Sequence, residues 1–95
     1  MTAYLAFIHP PENRSSWGVT FPDLPGCTSG GDTFEDAVAQ AHDALSGHLA
    51  ALRMDGDPIP PPRTYEQVLK EEAEEADSAV VQLIFAGEAA QAASR

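Results

Sequence analysis

The feature that most constrains this chain is one long apolar stripe beginning just after Asp32. Phe34, Ala37, Val38, Ala41, Leu45, Leu49 and Leu52 recur at steps of three and four. That period predicts a single amphipathic helix of about five turns. Asp32 is expected to cap it, with Glu35 three residues later reaching back as in a capping box. Gly47 costs roughly 1 kcal/mol relative to alanine and does not break it. Gly56 followed by Pro58 predicts its end. A helix with one apolar stripe must bury that stripe against a second layer, which the rest of the chain has to supply.

Short strands supply it. Tyr4 to Ile8 is an apolar run too short for a helix and ends at His9-Pro10-Pro11, so it reads as a strand buried on both faces or nearly so. Trp17 to Phe21 alternates, placing Trp17, Val19 and Phe21 on one face and Gly18 and Thr20 on the other. Leu24-Pro25-Gly26-Cys27 fits a type II turn, with proline presetting φ and glycine accepting a positive φ. A third strand is expected from Cys27 to Gly30, and Gly30-Gly31 lets the backbone turn into the helix.

Beyond that helix, residues 57–63 are proline-rich and predict an extended connector. Thr64 is expected to cap a surface helix from Tyr65 to about Ala76, carrying Glu66, Glu71, Glu72, Glu74 and Glu75, with Val68 and Leu69 its only large aliphatics. Ser78 to Phe85 reads as the last strand. Residues 1–86 thus form one domain, with 87–95 a short polar tail. The fold class expected is α+β: three antiparallel strands, a long helix on one face, and a last strand parallel to the first, because one helical crossover returns the chain in the same direction.

Charge narrows the function. Fifteen acids oppose five bases, a formal charge of -10. Arg14, Arg53, Arg63, Lys70 and Arg95 are scattered singly, so direct nucleic-acid binding, which needs clustered bases, is not expected. An acidic chain is instead steered toward a basic partner. The longest apolar run is far below the ~20 residues of a membrane helix, and no leader is read at the N-terminus, so a cytoplasmic protein is expected.

Catalytic and metal chemistry find little support. The single cysteine, Cys27, excludes a disulfide framework and reads as a packed strand residue, with no histidine near it in sequence. His42 and His48 are separated by about 240° around the helix, so they share no face, and His9 lies at a strand end. A two-metal nuclease needs acids on the first and last strands, and neither carries one; Asp36 and Asp43 on the helix lack partners. No enzyme, cofactor or metal is expected.

The ordered motifs resemble a known family. The stretch from Trp17 through Phe21-Pro22-Asp23-Leu24-Pro25-Gly26 to Gly31-Asp32-Thr33, the alanine-rich helix with Ala37 and Ala39, and the exit Met54-Asp-Gly-Asp-Pro-Ile-Pro60 are similar to the HicB antitoxin family. The likeness covers most of residues 3–62. It implies a partial RNase H-like β-β-β-α-β fold. It also implies an antitoxin that binds a HicA-type toxin, a small basic mRNA-cleaving ribonuclease, and occludes its active site. Many HicB proteins add a C-terminal DNA-binding module, and the ten or so residues after the last strand are too few for one.

In this sequence the residues expected to meet a toxin are Trp17, Asp23, Glu71, Glu72, Glu74 and Glu75. Phe21, Pro22, Leu24, Pro25, Gly26, Gly31, Asp32 and Glu35 are expected to build the turn and helix entry. A homodimer or higher oligomer is expected, and the alternative function is an orphan oligomerisation module without a toxin.

Overall fold

The computed structural model describes residues 2–12 and 15–87. Four strands form one sheet: β1 (Ala3–His9), β2 (Trp17–Thr20), β3 (Thr28–Gly31) and β4 (Val80–Phe85), in the spatial order β3-β2-β1-β4. Three helices, α1 (Phe34–Asp55), α2 (Tyr65–Glu71) and α3 (Ala73–Asp77), lie between β3 and β4 in sequence. The fold is α+β, as expected. The third and fourth strands begin at Thr28 and Val80, slightly later than the sequence suggests.

Alternation along β1 divides the core into two. Tyr4, Ala6 and Ile8 face one side, where Val19, Ile84 and the buried α1 residues Ala37, Ala41, Leu45 and Leu49 pack on them. Leu5 and Phe7 face the other side and are covered by Val68 of α2, with Ala76, Ala79 and Val81 around them. The continuous apolar run of β1 is therefore that of a central strand with a helix on each face. The acidic helix does lie on the surface, yet its Val68 is fully buried.

The expectation that the last strand is parallel to the first is wrong. β4 pairs with β1 antiparallel, from Ala3 opposite Phe85 to Ile8 opposite Val80. The reason is the number of helical passes. α1 carries the chain away from the end of the sheet where β3 finishes, and the connector crosses to the opposite face. α2 and α3 then carry it back to that end before β4 starts. Two passes instead of one reverse the final strand.

The helix entry also differs. Thr33, not Asp32, is the N-cap of α1, its Oγ1 accepting from the Asp36 N–H at 3.0 Å, so Asp32 and Glu35 form no capping box. Gly31 explains the shift: a Cβ there would stand 2.5 Å from the Ala37 nitrogen, so the end of β3 lies directly against the first turn of α1. The capping box occurs instead at α2, between Thr64 and Gln67. At the far end of α1, Gly56 sits at φ 71° while Gly56 and Asp57 donate to the Arg53 and Leu52 carbonyls, a Schellman closure that only a left-handed residue permits without strain. The single acidic helix expected from Tyr65 to Ala76 is two helices, broken at Glu72. The expected tail, 87–95, lies outside the described residues from 88 onward.

Candidate functional site

The Phe21-Pro22-Asp23-Leu24-Pro25-Gly26 segment leaves β2 through two consecutive turns. The Leu24 N–H donates to the Phe21 carbonyl at 3.1 Å and the Cys27 N–H to the Leu24 carbonyl at 3.0 Å, with Gly26 at φ 88°. This drives Phe21, Leu24 and Cys27 into the α1 core and turns Asp23 the other way, toward the connector.

There Asp23 meets Arg63. The Arg63 backbone N–H donates to Asp23 Oδ2 at 2.8 Å and its Nε to Oδ1 at 2.5 Å. The same guanidinium donates through Nη1 to Glu71 Oε1 at 2.7 Å and through Nη2 to Glu72 Oε2 at 3.0 Å. Three carboxylates thus converge on one arginine. The hydrogen bonds it donates to Glu71, Asp23 and Glu72 raise the Arg63 pKa well above the usual arginine range. The planar fork of Arg suits this convergence, with each nitrogen serving a separate acid.

A second polar cluster ties α3 to the sheet. Glu75 Oε2 accepts from the Thr20 hydroxyl at 2.9 Å and lies 3.0 Å from His9 Nε2, which is itself 3.2 Å from Thr20 Oγ1. His9 and Thr20 are neighbours across β1 and β2 because Thr20 stands opposite Phe7, two residues along. The face carrying both clusters is strongly acidic, with Glu66, Glu74 and Asp77 exposed around them.

The six residues expected to meet a partner are therefore used in different ways. Glu74 is exposed, and Glu71 and Glu72 stay accessible while holding Arg63. Asp23 is nearly buried, its side chain 5% exposed beneath Arg63, and Glu75 is partly spent on His9 and Thr20. Trp17 is half-buried, packed edge-on against Phe34 with ring centroids 5.5 Å apart, so it belongs to the core margin. Sequence reasoning missed Arg63 and the His9–Thr20–Glu75 cluster. A lone base just before a run of glutamates was the available signal for the first.

Cys27 is buried with its thiol 3.8 Å from the Ala44 carbonyl, and burial pushes its pKa up. Among the described residues, no group of three or more His, Cys, Asp or Glu is placed to hold a metal. None of their helices is long and apolar enough to cross a membrane.

The described residues thus form a four-stranded antiparallel sheet between a long helix and a short acidic helical layer, with a charged face. The family model for the HicB-like antitoxin of bacterial toxin–antitoxin systems matches residues 4–92, and the chain belongs to that family. It is 42% identical over 52 residues to antitoxin HicB 2 of Photorhabdus laumondii, covering 55% of this chain and 37% of that protein. It is 36% identical over 53 residues to an uncharacterised 14.9 kDa protein of Haemophilus phage HP1, covering 56% of this chain and 40% of that protein. The alignments thus span about two-fifths of these curated relatives. Among solved structures, the N-terminal domain of the Burkholderia pseudomallei antitoxin HicB matches with a TM-score of 0.74 and 29% identity, covering 88% of this chain and 96% of that one. A chain from a HicA3–HicB3 toxin–antitoxin complex matches with a TM-score of 0.72 and 26% identity, covering 90% of this chain and 98% of that one.

Proposed function

We propose that this chain is an antitoxin that binds a small basic HicA-type ribonuclease and occludes its active site, with no bond made or broken by the antitoxin itself. The observation that carries the reading is the whole-domain likeness to a chain of a HicA3–HicB3 toxin–antitoxin complex. The charge distribution supports it. Glu71, Glu72 and Glu74 stand exposed or half-exposed on a chain of formal charge -10, a surface suited to meet a basic one. In this reading Arg63 and Asp23 hold the acidic helices in place, and Trp17 supports the sheet end beside α1. The proposed setting is the cytoplasm, where an mRNA-cleaving toxin acts.

The test is co-expression with the small basic protein encoded beside this gene, with RNA cleavage as the readout. Stoichiometric capture that silences cleavage is the expected result. Binding should slow and weaken as salt rises, because exposed charges are screened over about 10 Å at 0.1 M ionic strength. A Glu71→Lys/Glu74→Lys double variant should lose at least tenfold in affinity. Capture without silencing would remove the occlusion mechanism, and no capture would remove the toxin reading.

A second reading is a self-associating module, either as the antitoxin's own oligomer or as an orphan without a toxin. One observation favours self-association: Val80, Leu83 and Phe85 of the edge strand β4 are large, apolar and exposed.

A further inference from the structure

We infer that β4 is the surface on which two copies of this chain pair, edge to edge and antiparallel, about a two-fold axis at Leu83. The inference deepens the self-association reading above and rests on it, while being independent of toxin binding.

Among the described residues β4 is an outer strand, with β1 on one side and no strand on the other. The backbone phase is fixed by the Ala86 N–H, which donates to the Thr2 carbonyl at 2.9 Å. In an antiparallel ladder the residues that bond a given neighbour alternate, so Ile84, Gln82 and Val80 also turn their backbone groups toward β1. Val81, Leu83 and Phe85 turn theirs outward. The side-chain contacts agree: His42 Nδ1 bonds the Phe85 carbonyl at 2.6 Å, and the Gln82 amide leans on the Leu83 carbonyl at 3.4 Å. The outward N–H groups of Val81, Leu83 and Phe85 form the row that another strand would complete.

The same three residues share one sheet face with Leu5 and Phe7. Val68, Ala76 and Ala79 cover that face over Leu5, Phe7 and Val81. Leu83 and Phe85 remain 46% and 47% exposed. An apolar row thus lies directly along an edge that no described strand pairs.

Charge selects the occupant. The acidic face suits a basic partner, but residues 78–87 contain no Asp, Glu, Lys or Arg at all. A second copy carrying the same -10 charge can approach along this strand without like charges meeting. The strand is also self-complementary. A two-fold axis normal to the sheet pairs only residues whose side chains share a face. Centring it on Leu83 sets Leu83 against Leu83 and Phe85 against Val81 of the other copy. All three outward N–H groups of each strand then gain carbonyl acceptors. The Phe85 carbonyl accepts from Val81 of the other copy through its second lone pair, beside His42. The product is one continuous eight-stranded sheet.

Light scattering of the full chain should give about twice its 10.1 kDa mass. Leu83→Lys, at an exposed position, should fold with an unchanged circular dichroism spectrum and run as a monomer, with dimer affinity down at least a hundredfold. It should still capture the toxin. In a Cys27→Ala background, Leu83→Cys should form a disulfide-linked dimer on mild oxidation, since directly opposed residues lie about 5.5 Å apart at Cα. Gln82→Cys should not. A wild-type monomer at every concentration would overturn self-association altogether. A dimer indifferent to Leu83→Lys would overturn the β4 surface alone, and cross-linking at 82 in place of 83 would overturn the register.

Discussion

Asp23 and Arg63 meet twice, once through the Arg63 side chain and once through its backbone N–H, with 40 residues of chain between them. The double contact fixes both where the connector passes the β2 exit turn and where the guanidinium points. Glu71 and Glu72 then follow the guanidinium. The position of the acidic helices thus depends on a carboxylate in a turn of another layer.

Asp23→Ala is therefore expected to cost about 2–4 kcal/mol, because it strands a backbone donor and one side of a partly buried cation. Glu71→Gln is expected to change stability by less than about 0.5 kcal/mol, since Glu71 is half-exposed and its pair is screened. Urea denaturation of the two variants measures the contrast. Equal midpoints would mean that the Asp23 contact does not organise the face.

How much of this was legible in the sequence depends on the range of the forces involved. The α1 stripe, its Gly56 stop, the Leu24–Cys27 turn and the Thr64 cap are local, and each was read correctly from neighbouring residues. Membership of the HicB-like family was legible too, because its motifs are short and ordered. What escaped was set by contacts between distant residues. The direction of β4 depends on α2 and α3 making a second pass along the sheet, and the burial of Val68 against Leu5 and Phe7 holds that pass in place. Asp23 was expected to meet a partner, and its contact with Arg63, 40 residues away, could not be read from its neighbours.

Val68 gives the second prediction. It is the fully buried residue of α2 and closes the face over Leu5 and Phe7. Val68→Ala is expected to cost about 1–3 kcal/mol through lost burial and the space left behind. Hydrogen exchange should speed up first in α2 and α3, while α1 amides keep their protection. Uniform loss of protection would show that the two faces unfold as one unit.

The entry to α1 separates two neighbours. Thr33→Ala removes the hydroxyl that accepts from the Asp36 N–H and is expected to cost about 1 kcal/mol. Asp32→Ala should change stability by less than about 0.5 kcal/mol, as an exposed residue outside the cap. Thermal melts of the pair decide it, and a larger loss at Asp32 would return the cap to that residue.

Cys27 gives a pH prediction with a definite sign. Its thiol is buried against Ala44, and burial raises its pKa from the ordinary 9.0. Below that value the thiol is protonated in folded and unfolded chains alike, so its contribution is intact. As pH rises past it, the unfolded chain releases the proton first and binds fewer protons than the folded one. Stability must then fall with pH, until the folded thiol also titrates. Cys27→Ala is expected to be slightly less stable at about pH 8 through lost packing, yet to lose less between about pH 8 and about pH 10. Urea midpoints of both proteins at the two pH values test this, and parallel losses would show that the folded thiol titrates like an unfolded one. Alkylation supplies an independent check. The native thiol should react with iodoacetamide only as fast as the chain opens, and urea should accelerate the reaction steeply.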